Sequence, residues 1–159
     1  MSTYRNITRF KQELSHEECE KILVATKRGV LSVIAPEGYP YGMPMNHFYD
    51  PYTNEIYFHG GKMGHKIDAL KKNNKASFCV IDDGSGTEGW WLQFKSVIVF
   101  GVIEMIDDPV VVEDISRRLS AKFVDDKEYV DHEIELSLKG TLLLKMRIEH
   151  MTGKKVNER

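Results

Sequence analysis

This chain of 159 residues is short of the features that mark several protein classes. It has two cysteines, Cys19 and Cys79, each within an apolar pattern, so a disulfide framework is excluded and reduced core thiols in a cytoplasmic protein are expected. It lacks an excess of one charge: 22 basic residues face 24 acidic ones for a formal net charge of −2. Nucleic-acid binding and adhesion to an anionic membrane both need a basic face, and the composition offers no electrostatic case for either. A small barrel gripping an oligonucleotide would need aromatics interleaved with a basic groove, which this balance disfavours. No apolar run reaches the length of a membrane span, and the first thirty residues, rich in Glu, Lys and Arg, contain no signal-peptide core. No repeat, linker or low-complexity stretch divides the chain, so residues 1–159 are read as one domain.

Glycine, by contrast, is concentrated where it informs. The segment from Glu55 to Leu70, E-I-Y-F-H-G-G-K-M-G-H-K-I-D-A-L, runs from a strand through Gly60, Gly61 and Gly64 into a helix. Glycines allow close backbone approach, and the opening N–H groups of a helix lack internal partners and sit at the positive end of its dipole. Lys62 and Lys66 supply full charges, so the pattern suits a phosphate-bearing ligand; it also occurs as a solvated loop. No Walker string, Gly-x4-Gly-Lys-Ser/Thr, is present. His47, His59 and His65 lie nearby, but no i, i+4 pair or completing cysteine or carboxylate gives a metal-ligand spacing.

Local signals organise the rest. Ser15-His16-Glu17-Glu18 is a capping box opening a helix over about His16 to Arg28, with Gly29 placed to end it. Val30 to Ala35 and Tyr41 to Tyr49 form a hairpin around Pro36-Glu37-Gly38. Pro44 removes a ladder donor from the second strand, which suggests an edge, a bulge or a meeting point with something other than a strand. Strands follow over Glu55–His59, Lys75–Ile81 and Trp90–Ile106, the last with a bend or bulge at Gly101. Ile67 and Leu70 lie on a short helix ending near Asn73. Pro109 opens a helix carrying Val112, Ile115, Leu119 and Phe123. Leu142–Ile148 is a last strand, and Thr152–Arg159 reads as a polar tail. About six hairpin-linked strands with three helices favour a mainly β fold: a small antiparallel barrel with peripheral helices.

Five segments in order resemble the FMN-binding split barrels related to pyridoxamine 5′-phosphate oxidase, closest to their nitroimidazole-resistance branch. They are R-G-V-L-S-V (Arg28–Val33), G-M-P-M-N-H-F-Y-D (Gly42–Asp50), I-Y-F-H-G-G-K-M-G-H-K-I-D-A-L (Ile56–Leu70), F-K-S-V-I-V-F-G (Phe94–Gly101) and I-E-H-M-T-G-K (Ile148–Lys154). The resemblance implies a six-stranded antiparallel split β-barrel, a homodimer with flavin sites at the subunit interface, and FMN as cofactor. It implies that Pro44, Met45, Asn46 and His47 lie along the flavin largely through backbone groups, that Phe58 and His59 touch it, and that His65 and Lys66 hold the phosphate. Ser96 would reach the ring across the interface, while Lys62 is nominated on charge alone.

The implied activity is FMN-dependent reduction of a small organic acceptor, nitroaromatics included. The alternative is a non-catalytic flavin-binding, storage or sensing protein. Vitamin oxidation is disfavoured, because Leu142–Ile148 (L-L-L-K-M-R-I) is core-like where that branch carries basic residues and no arginine stands near Gly42. Relatives of this barrel also take deazaflavins or haem. Trp90 and Trp91 read equally as an aromatic wall over the flavin, an interface anchor, or core.

Overall fold

The computed structural model describes residues 3–86 and 92–157. Trp90 and Trp91 lie outside them. Helix α1 (His16–Ala25) begins at the expected capping box: the Ser15 side chain accepts from Glu18 N while the Glu18 carboxylate accepts from Ser15 N. It ends at Thr26, whose hydroxyl donates to Ile22 O at 2.7 Å, rather than at Gly29. Gly29 instead belongs to β1 (Arg28–Ile34), where a β-carbon would collide with the carbonyl of Cys79 on the neighbouring strand. Its role is close strand approach, not helix termination.

The other strands are β2 (Pro40–Asn46), β3 (Phe48–Asp50), β4 (Glu55–Gly61), β5 (Lys75–Ile81), the two-residue β6 (Ser85–Gly86), β7 (Leu92–Ile106) and β8 (Thr141–Asn157). All pairings are antiparallel, in the order β2-β1-β5-β7-β8-β4-β3, with β6 against β7. The expected strand Tyr41–Tyr49 is thus two strands broken at His47. Because β2 and β3 occupy opposite ends of the hydrogen-bonded order yet are joined through that single residue, the sheet must curl back on itself. His47 is the seam of a split barrel.

The described strands number eight rather than six. Thr152–Asn157, expected as a polar tail, continues β8: Thr152 to Asn157 pair with Ile98 to Gln93 of β7. A polar face toward solvent made this stretch look unstructured, whereas its backbone completes the ladder. The expected irregularity at Gly101 is present as a register shift between Phe100 and Gly101, where a β-carbon would run into Arg147 O.

Helix α2 (His65–Lys72) follows β4, and α3 (Pro109–Ser120) starts with Pro109 behind an Asp108 cap. A further helix, α4 (Lys127–Ser137), opens at Asp126, whose carboxylate accepts from Tyr129 N. Inside the barrel, Leu31, Val33, Phe58, Phe78, Val97 and Leu144 are buried together with Leu23 of α1 and Ile67 of α2. The rings of Phe58 and Phe78 meet edge to face at 4.9 Å, a favourable arrangement of their quadrupoles.

Candidate functional site

The glycine-rich turn was singled out by sequence, and the structure shows why glycines occupy it. Gly64, the residue before α2, has φ 128° and ψ 176°, a conformation that side chains resist, and offers no side-chain cap to the helix. The first N–H groups of α2 therefore face outward without a capping side chain. Lys66, in that first turn, folds its ammonium over Gly60: a β-carbon built on residue 60 would lie 2.9 Å from Nζ and 3.4 Å from Cε. Bare N–H groups, a dipole end and a half-buried ammonium converge at the turn.

His65 stacks on Tyr41 of β2 at 4.6 Å and its Nε2 lies 3.2 Å from the Glu37 carboxylate of the β1–β2 turn. That contact holds Glu37 below the usual carboxylate range, after a larger contribution from its own backbone N–H. A carboxylate is thus already drawn toward the residue at the helix start. Lys62 is exposed, with no hydrogen bond or ion pair to a described residue.

The remaining candidates separate by which way they face. Pro44 and Asn46 lie on the outer side of the edge strand β2, so the missing Pro44 donor falls in an edge strand. Asn46 accepts from Arg28 Nε across the β1–β2 ladder at 3.1 Å. Arg28, not singled out among the site residues, is therefore what orients this amide, and the cross-strand register that makes it so is not a property of either strand alone. Met45 packs on the core, and Phe58 is fully buried within it.

His47 is also fully buried. Its Nε2–H donates to Leu23 O at 2.8 Å, its ring meets Phe78 edge-on, and Nδ1 has no partner among the described residues. Burial, then the nearby Lys122 charge, push its pKa down to about 4, so the ring is neutral. Its imidazole is a core group, and only its backbone is near the edge strand. His59, one residue beyond Phe58 and on the other face of β4, is different. It keeps solvent-accessible surface while protein surrounds it as part of a concave wall, which it shares with Asn46. That burial, followed by the charge of Lys66, lowers its pKa.

Ser96 stands apart from this cluster within one chain. It pairs with Ile81 of β5 and Lys154 of β8, whereas His59 pairs with Leu143 near the start of β8. Among the described residues no group of three or more His, Cys, Asp or Glu side chains could hold a metal. None of the helices there is long and apolar enough to cross a membrane.

The family model described as pyridoxamine 5′-phosphate oxidase matches residues 15–155, nearly all of the chain. The chain belongs to this family. Three similar solved structures share the family's fold with it. A proposed 5-nitroimidazole antibiotic resistance protein of Bacteroides thetaiotaomicron has 20% identity and a TM-score of 0.77, covering 91% of this chain and 87% of its own. A FAD-binding protein of Mesorhizobium loti has 23% identity and a TM-score of 0.66, with 91% and 97% covered. An F420 reductase has 17% identity and a TM-score of 0.62, with 83% and 94% covered. No curated protein matches the chain significantly in sequence.

Proposed function

We propose that this member of the family is an FMN-dependent oxidoreductase that reduces a small organic acceptor, nitroaromatics included. The observation that carries the reading is the cradle at Gly60: residue 60 has no side chain, and the ammonium of Lys66 fills the space beside the uncapped start of α2. A phosphate docked there would meet helix N–H groups and a charge-assisted donor together. His65 would join once Glu37 swings away, exchanging one anion for another. The residues present therefore fit a phosphate-ended flavin.

The edge strand β2 supplies the second part of the site. Its free side bears Pro44 without a donor and Asn46 with an amide oriented by Arg28, a strip able to lie along a flat ring and its polyol chain. When bound, the flavin supplies the electron-transfer chemistry. The protein's own part is to hold the phosphate through Lys66 and α2, present the neutral His59 imidazole beside the ring, and keep water from the covered face.

The reading includes a homodimer. Val30, Ile34, Ile81, Ile98 and Phe100 are all exposed apolar side chains on β1, β5 and β7. Register aligns Val30 with Cys79 and Cys79 with Ile98, so the patch is continuous across the sheet. Apolar surface of this kind marks an interface, and Ser96, in register with Ile81, would be carried by it to a partner's flavin. Both cysteines are free, which suits a reducing cytoplasm.

The visible spectrum of the purified protein tests the flavin, and mass analysis of the pigment released on denaturation separates FMN from FAD and F420. Stopped-flow mixing with NADH and NADPH tests the oxidoreductase: a flavin that stays oxidised with both leaves a binding or storage protein instead.

A further inference from the structure

Helices α3 and α4 enclose, with the ends of β2 and β4, a cleft of about 230 Å³. That is below the ~300–1,000 Å³ common for drug-sized ligands, so a tricyclic flavin with its side chain is too large for it. Leu119 of α3, Ile134 of α4 and Phe123 between the helices make an apolar interior. Ser116 and Ser120 add two hydroxyls without hydrogen bonds to described residues. At the strand end the cleft reaches His59, whose imidazole also lacks a hydrogen-bond partner among them. A neutral imidazole offers one donor and one acceptor, so the polar groups around the cleft are few, convergent and uncharged. Glu133 on one wall repels an anion, and Lys66 behind His59 repels a cation. A charged ligand would lose its hydration in the middle without a counter-ion.

We infer that this cleft binds a second molecule: a small, uncharged ring compound bearing one or two hydrogen-bonding groups. The occupant would lie between the helix pair and His59. Its role as the electron acceptor rests on the flavin reading; its binding does not. The site is outside the glycine-rich turn and uses α3 and α4, whose side chains the flavin reading leaves without a task.

Benzamide, benzoate and benzamidinium have nearly the same shape and differ in charge, so they probe the inference directly. The full-length protein, before and after addition of FMN, is titrated with each while the methyl resonances of Leu119, Val130 and Ile134 are followed by NMR. Benzamide should give saturable shifts in both forms, and the two ions should bind about tenfold or more weakly, as expected for a charge without a partner. Ser120→Phe and, independently, Val130→Phe should abolish the shifts while methyl dispersion shows an intact fold. Absence of saturable shifts, their persistence in folded filled variants, tighter binding of either ion, or their loss on adding FMN would overturn the inference. Protein that takes up no FMN yet responds to benzamide upholds the cleft and defeats the flavin reading; the reverse pattern defeats the cleft alone.

Discussion

The ammonium of Lys122 donates to the carbonyl of His47 at 2.7 Å and to that of Thr26 at 2.6 Å. These two carbonyls belong to the end of α1 and to the residue joining β2 to β3, so one cation ties the helix to the barrel seam. His47 N donates to Lys27 O at 3.3 Å beside it. Lys122→Met should leave both carbonyls short of a donor and lower stability by about 2–3 kcal/mol, within the range for a charge-assisted hydrogen bond lost from a partly buried site. Urea unfolding midpoints of the two proteins measure this. Because the seam carries β2 into the candidate site, the variant should also retain flavin less well at the same protein concentration.

Glycine-to-alanine changes at two strand positions should behave oppositely. At residue 29 the added carbon meets backbone, the carbonyl of Cys79, together with the packed side chains of Phe78 and Val80. Gly29→Ala should cost about 1–3 kcal/mol through strand displacement. At residue 60 it meets only the far end of Lys66, a flexible chain that can turn aside. Gly60→Ala should keep the melting temperature near that of the parent and weaken FMN binding by titration, since the displaced ammonium is the proposed phosphate donor. A fluorescence titration together with thermal unfolding separates the two effects.

Removing that ammonium altogether is the sharper case. Lys66→Ala should raise the dissociation constant for FMN roughly tenfold to a hundredfold, the equivalent of a charge-assisted contact of about 1.5–3 kcal/mol. Lys62→Ala, at an exposed side chain without a protein partner, should change it much less. Unchanged flavin occupancy in the Lys66 variant would move the phosphate elsewhere.

The buried His47 sets a pH dependence whose sign can be worked out. Its folded pKa of about 4 lies below the ordinary 6.5, so between these values the unfolded chain binds a proton that the folded chain refuses. The contribution is complete above pH 6.5 and is lost as pH falls toward 4, amounting to about 3 kcal/mol. Denaturant midpoints should therefore drop between pH 7 and pH 4.5, with a flatter profile in His47→Gln. No drop attributable to His47 would mean that its ring is hydrated in solution.

The dimer proposal has its own test in the outer face of β5 and β7. Ile81→Lys and Ile98→Lys place charge on side chains already exposed in one subunit, 58% and 43% respectively, so the monomer fold should tolerate them. Light scattering during size-exclusion chromatography should show a dimer for the parent and a monomer for the double variant, with flavin loss alongside. A parent protein that elutes as a monomer would remove Ser96 from the site.

Short-range chemistry was legible in the chain from the start. The Ser15–Glu18 box, Pro109 at the start of α3, the bounds of β5, the irregularity at Gly101 and the glycine-rich entry to α2 each depend on residues a few positions apart, and each stands where local rules place it. Helix α4 was legible too, since Val130, Ile134 and Leu138 recur every four residues behind the Asp126 cap, but its polar surroundings masked the stripe. Other outcomes depended on which strands meet. Nothing near His47 or His59 in the chain says that the first is sealed in the core while the second faces a cleft; curling of the sheet through residue 47 decides it. Likewise Gly29 joins a strand because Cys79 approaches it, and the polar end of β8 is ordered because β7 offers it a ladder. Composition and spacing act over a turn or a strand, while burial belongs to contacts between residues far apart in sequence.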